Sequence, residues 1–232
     1  MGRDVIVALD LENGKRALEF LDRFEGRKPF VKIGMELFYS EGPSIVKEIK
    51  ARGHKIFLDL KLHDIPNTVT KAMTVLSALD IDMVNVHAAG GRAMMEKALE
   101  GLARTGADRP LLIAVTQLTS TDQKMLESEL LIKEPVGEVV MKYAKNAAAA
   151  GLDGVVCSAL EATEVHKNCG SAFLTVTPGI RFEGEDAGDQ KRIMTPAGAK
   201  KAGADYIVVG RPITKAADSA AAYERCMAEF CE

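Results

Sequence analysis

The sequence predicts an α/β fold, a single closed (β/α)8 TIM barrel spanning residues 1–232. Three observations carry that expectation. Short apolar, β-branched runs recur along the chain, stretches of helical spacing separate them, and 232 residues with 47% hydrophobic content suit one large domain with a full core. Strands that are apolar on both faces and alternate with helices belong to parallel sheets.

The units follow in order. Residues 5–8 (VIVA) open the first, with helical spacing over 14–24. Residues 30–33 (FVKI) and 42–51 form the second, 55–59 (KIFLD) and 68–79 the third, and 83–87 (MVNVH) and 93–105 the fourth. The fifth strand is 111–115 (LLIAV), followed by a long connection over 116–135 and a helix over 137–150. Residues 154–157 (GVVC), 174–177 (LTVT) and 206–209 (YIVV) complete the set of eight strands. An open doubly wound sheet is the alternative, but the first turn, residues 9–14 (LDLENG), lacks a GxGxxG phosphate loop. No Pro/Gly/Ser linker divides the chain. The connection over 179–195 is also long, and its segment 182–189 (FEGEDAGD) suits a lid closing over a ligand.

Composition narrows the function. Net charge is −3 and the isoelectric point about 5.9, with lysine and arginine scattered, so nucleic acid is not an expected partner. Cys157, Cys169, Cys226 and Cys231 show neither CxxC pairing nor regular spacing, and the first residues lack the apolar stretch of a signal peptide. A cytoplasmic protein with free thiols is expected. No apolar run approaches the roughly 20 residues that span a bilayer, so no membrane association is expected.

Active sites of such barrels lie at the C-terminal ends of the strands. Asp10 ends the first strand, Lys32 lies in the second, and the third runs into Asp59 and Lys61. Residues two apart on a strand face one side, so Asp59 and Lys61 project together into the barrel mouth. Asp64 follows three residues on, and Lys32 adds a second cation; these four charges could share one small site. A single such pair is more often a rim salt bridge than a catalyst. Four together are costly to bury unless they serve a ligand.

Phosphate is implied independently. Barrels often bind it with the loops after strands seven and eight. Here those loops read Thr177-Pro178-Gly179-Ile180-Arg181 and Val209-Gly210-Arg211-Pro212-Ile213-Thr214. Glycine admits an anion close to backbone N–H groups and arginine offers a forked donor. A tight turn with a surface arginine is the plainer reading of either loop alone. Histidine gives little: His54, His87 and His166 have no metal spacing, and His63 should point away from Lys61 by alternation.

The segment Phe57-Leu58-Asp59-Leu60-Lys61-Leu62-His63-Asp64-Ile65-Pro66-Asn67-Thr68-Val69 resembles the signature of the orotidine 5′-phosphate decarboxylases. The likeness extends through Val7-Ala8-Leu9-Asp10, Val31-Lys32-Ile33-Gly34, Val115-Thr116-Gln117-Leu118-Thr119-Ser120, Asp189-Gln190 and the two Gly/Arg loops, with the spacing of the compact bacterial form. The resemblance implies decarboxylation of orotidine 5′-monophosphate to uridine 5′-monophosphate, the last step of de novo pyrimidine synthesis, with no metal and no cofactor. It implies Lys61 as proton donor, Asp59 beside the departing carboxylate, and Lys32 and Asp10 at the ribose end and in the charge network. Thr119 and Gln190 are implied as base or phosphate-lid contacts, and Arg181, Gly210 and Arg211 as phosphate ligands. Asp64 and Thr68 are implied to complete the partner's site in a homodimer.

Three rivals remain. A metal-dependent sugar-phosphate decarboxylase or epimerase on a similar barrel wants an extra carboxylate near Asp59, where this chain has Lys32. A Schiff-base aldolase needs a neutral lysine, at odds with carboxylates at 59 and 64. A non-enzymatic phosphate-binding barrel would leave the charge cluster idle.

Overall fold

A computed structural model describes residues 2–103, 109–184 and 192–232. Eight parallel strands close a barrel in chain order: β1 (Asp4–Ala8), β2 (Phe30–Gly34), β3 (Ile56–Leu62), β4 (Met83–His87), β5 (Leu111–Val115), β6 (Gly154–Val156), β7 (Leu174–Thr177) and β8 (Tyr206–Val209). β8 pairs with β1, with Ile6 opposite Val208, so the sheet has no edge.

Two apolar layers follow from the alternation of each strand. Val5, Val7, Val31, Ile33, Leu58 and Ile207 face outward into the helices. Ile6, Phe30, Phe57, Met83, Ile113, Leu174 and Tyr206 fill the lower barrel interior. Going up by two from that inner layer on β2, β3 and β4 reaches Lys32, Asp59 and Asn85, so on this side of the barrel polarity begins where the packed interior ends.

The opposite face of the barrel repeats one device that sequence reading passed over. Asp82, Asp153 and Asp205 each stand immediately before an even-numbered strand and accept the N–H of Ile56, Leu112 and Thr175 on the preceding odd strand. Lys50, Arg109 and His166 respectively supply each carboxylate with a cation or ring donor, at 2.8, 2.6 and 3.0 Å. These contacts lie far from the strand ends that carry the chemistry, and they belong to stability.

The third unit fixes the segment after Lys61. Pro66 starts the helix Pro66–Ser77 at a position whose N–H needs no partner. That helix packs closely on Gly91–Ala103, where a Cβ on Gly101 would strike the Thr70 carbonyl. Thr74 donates its hydroxyl across the gap to Gly101, and Thr70 does so to Lys97. Within the connection 116–135 the chain forms a short helix, Gln123–Ser128, capped by Asp122.

Candidate active site

The strand-end charges form one chain of contacts. Lys61 Nζ lies 2.6 Å from Asp59 Oδ1, Lys32 Nζ lies 3.4 Å from Asp59 Oδ2, and Lys32 Nζ donates to Asp10 Oδ1 at 3.0 Å. Burial pushes the Asp59 carboxyl up, but Lys32, Lys61 and the Asn85 amide outweigh it and hold it below the ordinary carboxylate value. Burial likewise pushes Lys32 down, and Asp59 and Asp10 more than reverse this. Both residues are therefore charged across the neutral range. Gly34 leaves the room: a Cβ there would sit 3.1 Å from Lys32 Nζ and 3.5 Å from Asp10 Oδ1.

The pairing of Asp59 and Lys61 is not the product of simple alternation. Leu58 pairs with Val84 and Leu62 with Val86, so Asp59, Leu60 and Lys61 bulge opposite the single residue Asn85. Lys61 takes a left-handed backbone, φ 52°, which non-glycine residues populate sparsely. Its N–H, turned out of the ladder, donates to Asn85 Oδ1 at 2.8 Å, while Asn85 Nδ2 donates to Asp59 Oδ1 at 2.7 Å. Asn85 is fully buried. It was passed over because one amide in an apolar strand carries no motif.

Asp64 is not part of this cluster. It lies exposed on the rim, accepts the N–H of Ile65 at 2.6 Å, and among the described residues has no ion-pair partner. The four-charge set is thus Asp10, Lys32, Asp59 and Lys61. Thr68 is also exposed, in the first turn of its helix, and lines a surface groove with Lys61, Asp64 and Tyr39. His63, past the strand, lies in the same groove, its ring 5.9 Å from that of His87.

Two cavities of about 230 Å³ each meet at Lys32, Pro178 and Val208. One is lined by Phe57, Asp59, Lys61 and Thr119, and the other by Asp10, Gly179, Arg181, Gly210 and Arg211. Together they make a slot along which the charge chain runs from Lys61 at one end to Asp10 beside the two guanidinium-bearing loops at the other. Gly179 has φ 81°, so the turn before Arg181 uses a conformation suited to glycine. Arg181 is buried and donates to the Ile180 carbonyl, whereas Arg211 opens the short helix Arg211–Thr214 and is exposed. A wider groove of about 600 Å³ runs past Arg211 toward Lys215 and Arg225, away from Lys61. Gln190 and most of the expected lid, residues 185–189, lie outside the described residues.

A second residue that sequence reading missed is Arg192. It pairs with Glu161 and donates to the Leu118 carbonyl at 3.0 Å, tying the end of the strand-seven connection to the loop that carries Thr119. Burial raises the Glu161 carboxyl and Arg192 opposes that rise. Cys157 is fully buried, which pushes its thiol well up and makes it a poor nucleophile. Among the described residues no group of three or more His, Cys, Asp or Glu side chains is arranged to hold a metal ion, and no helix is long and apolar enough to cross a membrane.

Comparison with known proteins gives the family. Residues 3–226 match the model of the orotidine 5′-phosphate decarboxylase / HUMPS family. Curated relatives named orotidine 5′-phosphate decarboxylase include one from Geobacillus sp. (strain WCH70), 56% identical over 99% of this chain and 98% of its own length. Another, from Geobacillus thermodenitrificans, is 57% identical over 97% of this chain and 95% of its own length. The crystal structure of orotidine 5′-phosphate decarboxylase from Lactobacillus acidophilus superposes with a TM-score of 0.89 at 44% identity, covering 99% of this chain and all of the other. The barrel, the strand-end charges and these full-length matches agree: the chain belongs to the orotidine 5′-phosphate decarboxylase / HUMPS family.

Proposed function

We propose that this chain decarboxylates orotidine 5′-monophosphate to uridine 5′-monophosphate and CO2 in cytoplasmic pyrimidine synthesis, with Lys61 as proton donor and without a metal or other cofactor. The observation that carries the reading is the Lys61–Asp59–Lys32–Asp10 chain running along a slot whose end away from Lys61 holds Arg181 and Arg211.

Breaking the bond between ring carbon C6 and the carboxylate leaves an electron pair in an orbital that the π system cannot delocalise. The uncatalysed barrier is correspondingly high, and catalysis must supply on the order of 20 kcal/mol. Fixed cations in a partly dry site contribute most where charge develops. The Lys61 ammonium faces that carbon, stabilises the pair and delivers the proton that completes the product; solvent then reprotonates the amine. Asp59, held ionised, orients the ammonium and lies beside the departing carboxylate. Arg181, Gly210 and Arg211 take the phosphate, and Thr119, which lines the slot, contacts the base or the phosphate lid. Remote phosphate binding then contributes to catalysis at the ring. Lys32 stands where a metal-dependent relative would need a carboxylate, and its charge repels a divalent ion.

The active unit is a homodimer in which Asp64 and Thr68 complete the partner's site. Supporting this, both are exposed beside apolar side chains that a monomer leaves in water, Tyr39 (70% exposed), Ile65 (67%) and Val75 (66%). The test of the function is turnover. Purified protein mixed with orotidine 5′-monophosphate should consume its ultraviolet absorbance at the same rate before and after exhaustive chelation. No turnover, or activity lost to the chelator and restored by Mg2+, would overturn the reading.

A further inference from the structure

We propose that Asn85 is a positioning residue for this reaction, holding Lys61 in its left-handed backbone and keeping the Asp59 carboxylate turned to the Lys61 ammonium. The inference rests on the reading of Lys61 as proton donor.

The bulge in β3 leaves three residues facing one position of β4, and the side chain at that position replaces the missing ladder. Asn85 faces the barrel interior in phase with Met83 and is wholly inaccessible to solvent. Its carbonyl accepts the Lys61 N–H and its amino group donates to Asp59, the oxygen that receives Lys61 Nζ. A primary amide offers an acceptor and a donor to two such groups at once. A carboxylate has no proton to give, a hydroxyl serves one partner well, and an alkyl side chain serves neither. Without the amide, Lys61 can relax toward ordinary strand geometry, which redirects its side chain, and Asp59 can rotate away. Displacements of about 1 Å at reacting groups cost on the order of 100-fold in rate.

The test uses Asn85→Leu and Asn85→Asp in the full chain, with Lys61→Ala as reference. Asn85→Leu keeps the branched shape and removes both bonds; its kcat should fall by about 100-fold while the Kd of uridine 5′-monophosphate stays within about threefold. In Asn85→Asp the introduced carboxyl can accept from Lys61 N–H but can donate to Asp59 only when protonated. Two facing carboxyls share a proton, so activity relative to wild type should rise at least about tenfold between about pH 8 and about pH 5. A purely structural role would leave that ratio flat. Near-native kcat for Asn85→Leu, or parallel pH profiles for Asn85→Asp and wild type, would overturn the proposal. If Asn85→Leu does not fold, as judged by its melting curve, the pH ratio decides alone. Near-native activity of Lys61→Ala would instead overturn the reading beneath it, whereas inactive Lys61→Ala beside near-native Asn85→Leu removes Asn85 only.

Discussion

Replacing Lys32 by methionine keeps most of the side chain's length and removes its charge, and it should destabilise the folded chain by about 3 kcal/mol near neutral pH. The side chains of Lys32 and Asp59 are 12% and 10% exposed and 3.4 Å apart, so the change strands a buried carboxylate. Removing one partner of such a pair costs roughly 3–5 kcal/mol. The lower end applies because Asp59 keeps Lys61 and Asn85. The Asp10 side chain is 61% exposed, and water screens its share of the Lys32 interaction to about 1 kcal/mol or less. The sign with pH follows from Asp59, whose carboxyl is held below 3.8 in the folded chain. Its stabilisation is present above the unfolded value and is lost as pH falls through the folded one. Without Lys32, burial raises that folded value, so the gap between wild type and variant should close as the solution is acidified into the carboxylate range. On the alkaline side Lys32 lies above 10.5 when folded, and its contribution is lost as pH rises through that folded value. Urea unfolding at fixed protein concentration and stepped pH measures both arms. A loss under about 1 kcal/mol at pH 7, or a gap independent of pH, would show that Lys32 does not stabilise the buried Asp59 carboxylate.

Arg211→Ala should lower kcat/KM for the phosphorylated substrate by about 100-fold or more and leave the phosphate-free nucleoside nearly unaffected, because the lost contact is remote from the ring. Equal losses for both substrates would point to another phosphate site. Mixing Lys61→Ala with Asp64→Ala chains tests the shared site. If Asp64 serves the partner, random pairing makes half the dimers mixed with one intact site each, and activity should recover to about a quarter of wild type. No recovery, with subunit exchange verified, would place Asp64 in its own chain's site.

The barrel was legible because each buried strand had to be apolar on both faces, and all eight expected runs coincide with strands to within a few residues. β3 is the exception in length. It extends to Leu62, past the expected end at Asp59, because the bulge carries the chain on beyond its last regular pair. Helices such as Met35–Glu41, Gln123–Ser128 and Pro196–Lys201 escaped notice because six or seven residues give too few turns for a periodic signal. At the site, charges ending strands stood out against an apolar background, so Lys32, Asp59 and Lys61 were expected together and lie together, whereas Asp64, expected with them, lies on the rim and Asp10 stands in the cluster instead. Alternation placed Asp59 and Lys61 together, but the geometry reached is set by a positive φ that no period-two pattern contains. Asn85 and Arg192 were missed because their importance lies in partners distant in sequence, Lys61 and Asp59 for one, Glu161 and Leu118 for the other. Asp82, Asp153 and Asp205 were missed for the same reason.

The central claim is that the Lys61 ammonium acts where charge develops and not where the nucleotide docks. Lys61→Ala, assayed by single turnover with orotidine 5′-monophosphate and by equilibrium binding of uridine 5′-monophosphate, addresses it directly. The chemical step should fall by at least about 10⁴-fold with product affinity within about tenfold of wild type. A near-native chemical step would contradict it, as would a loss of product affinity that matches the loss in rate.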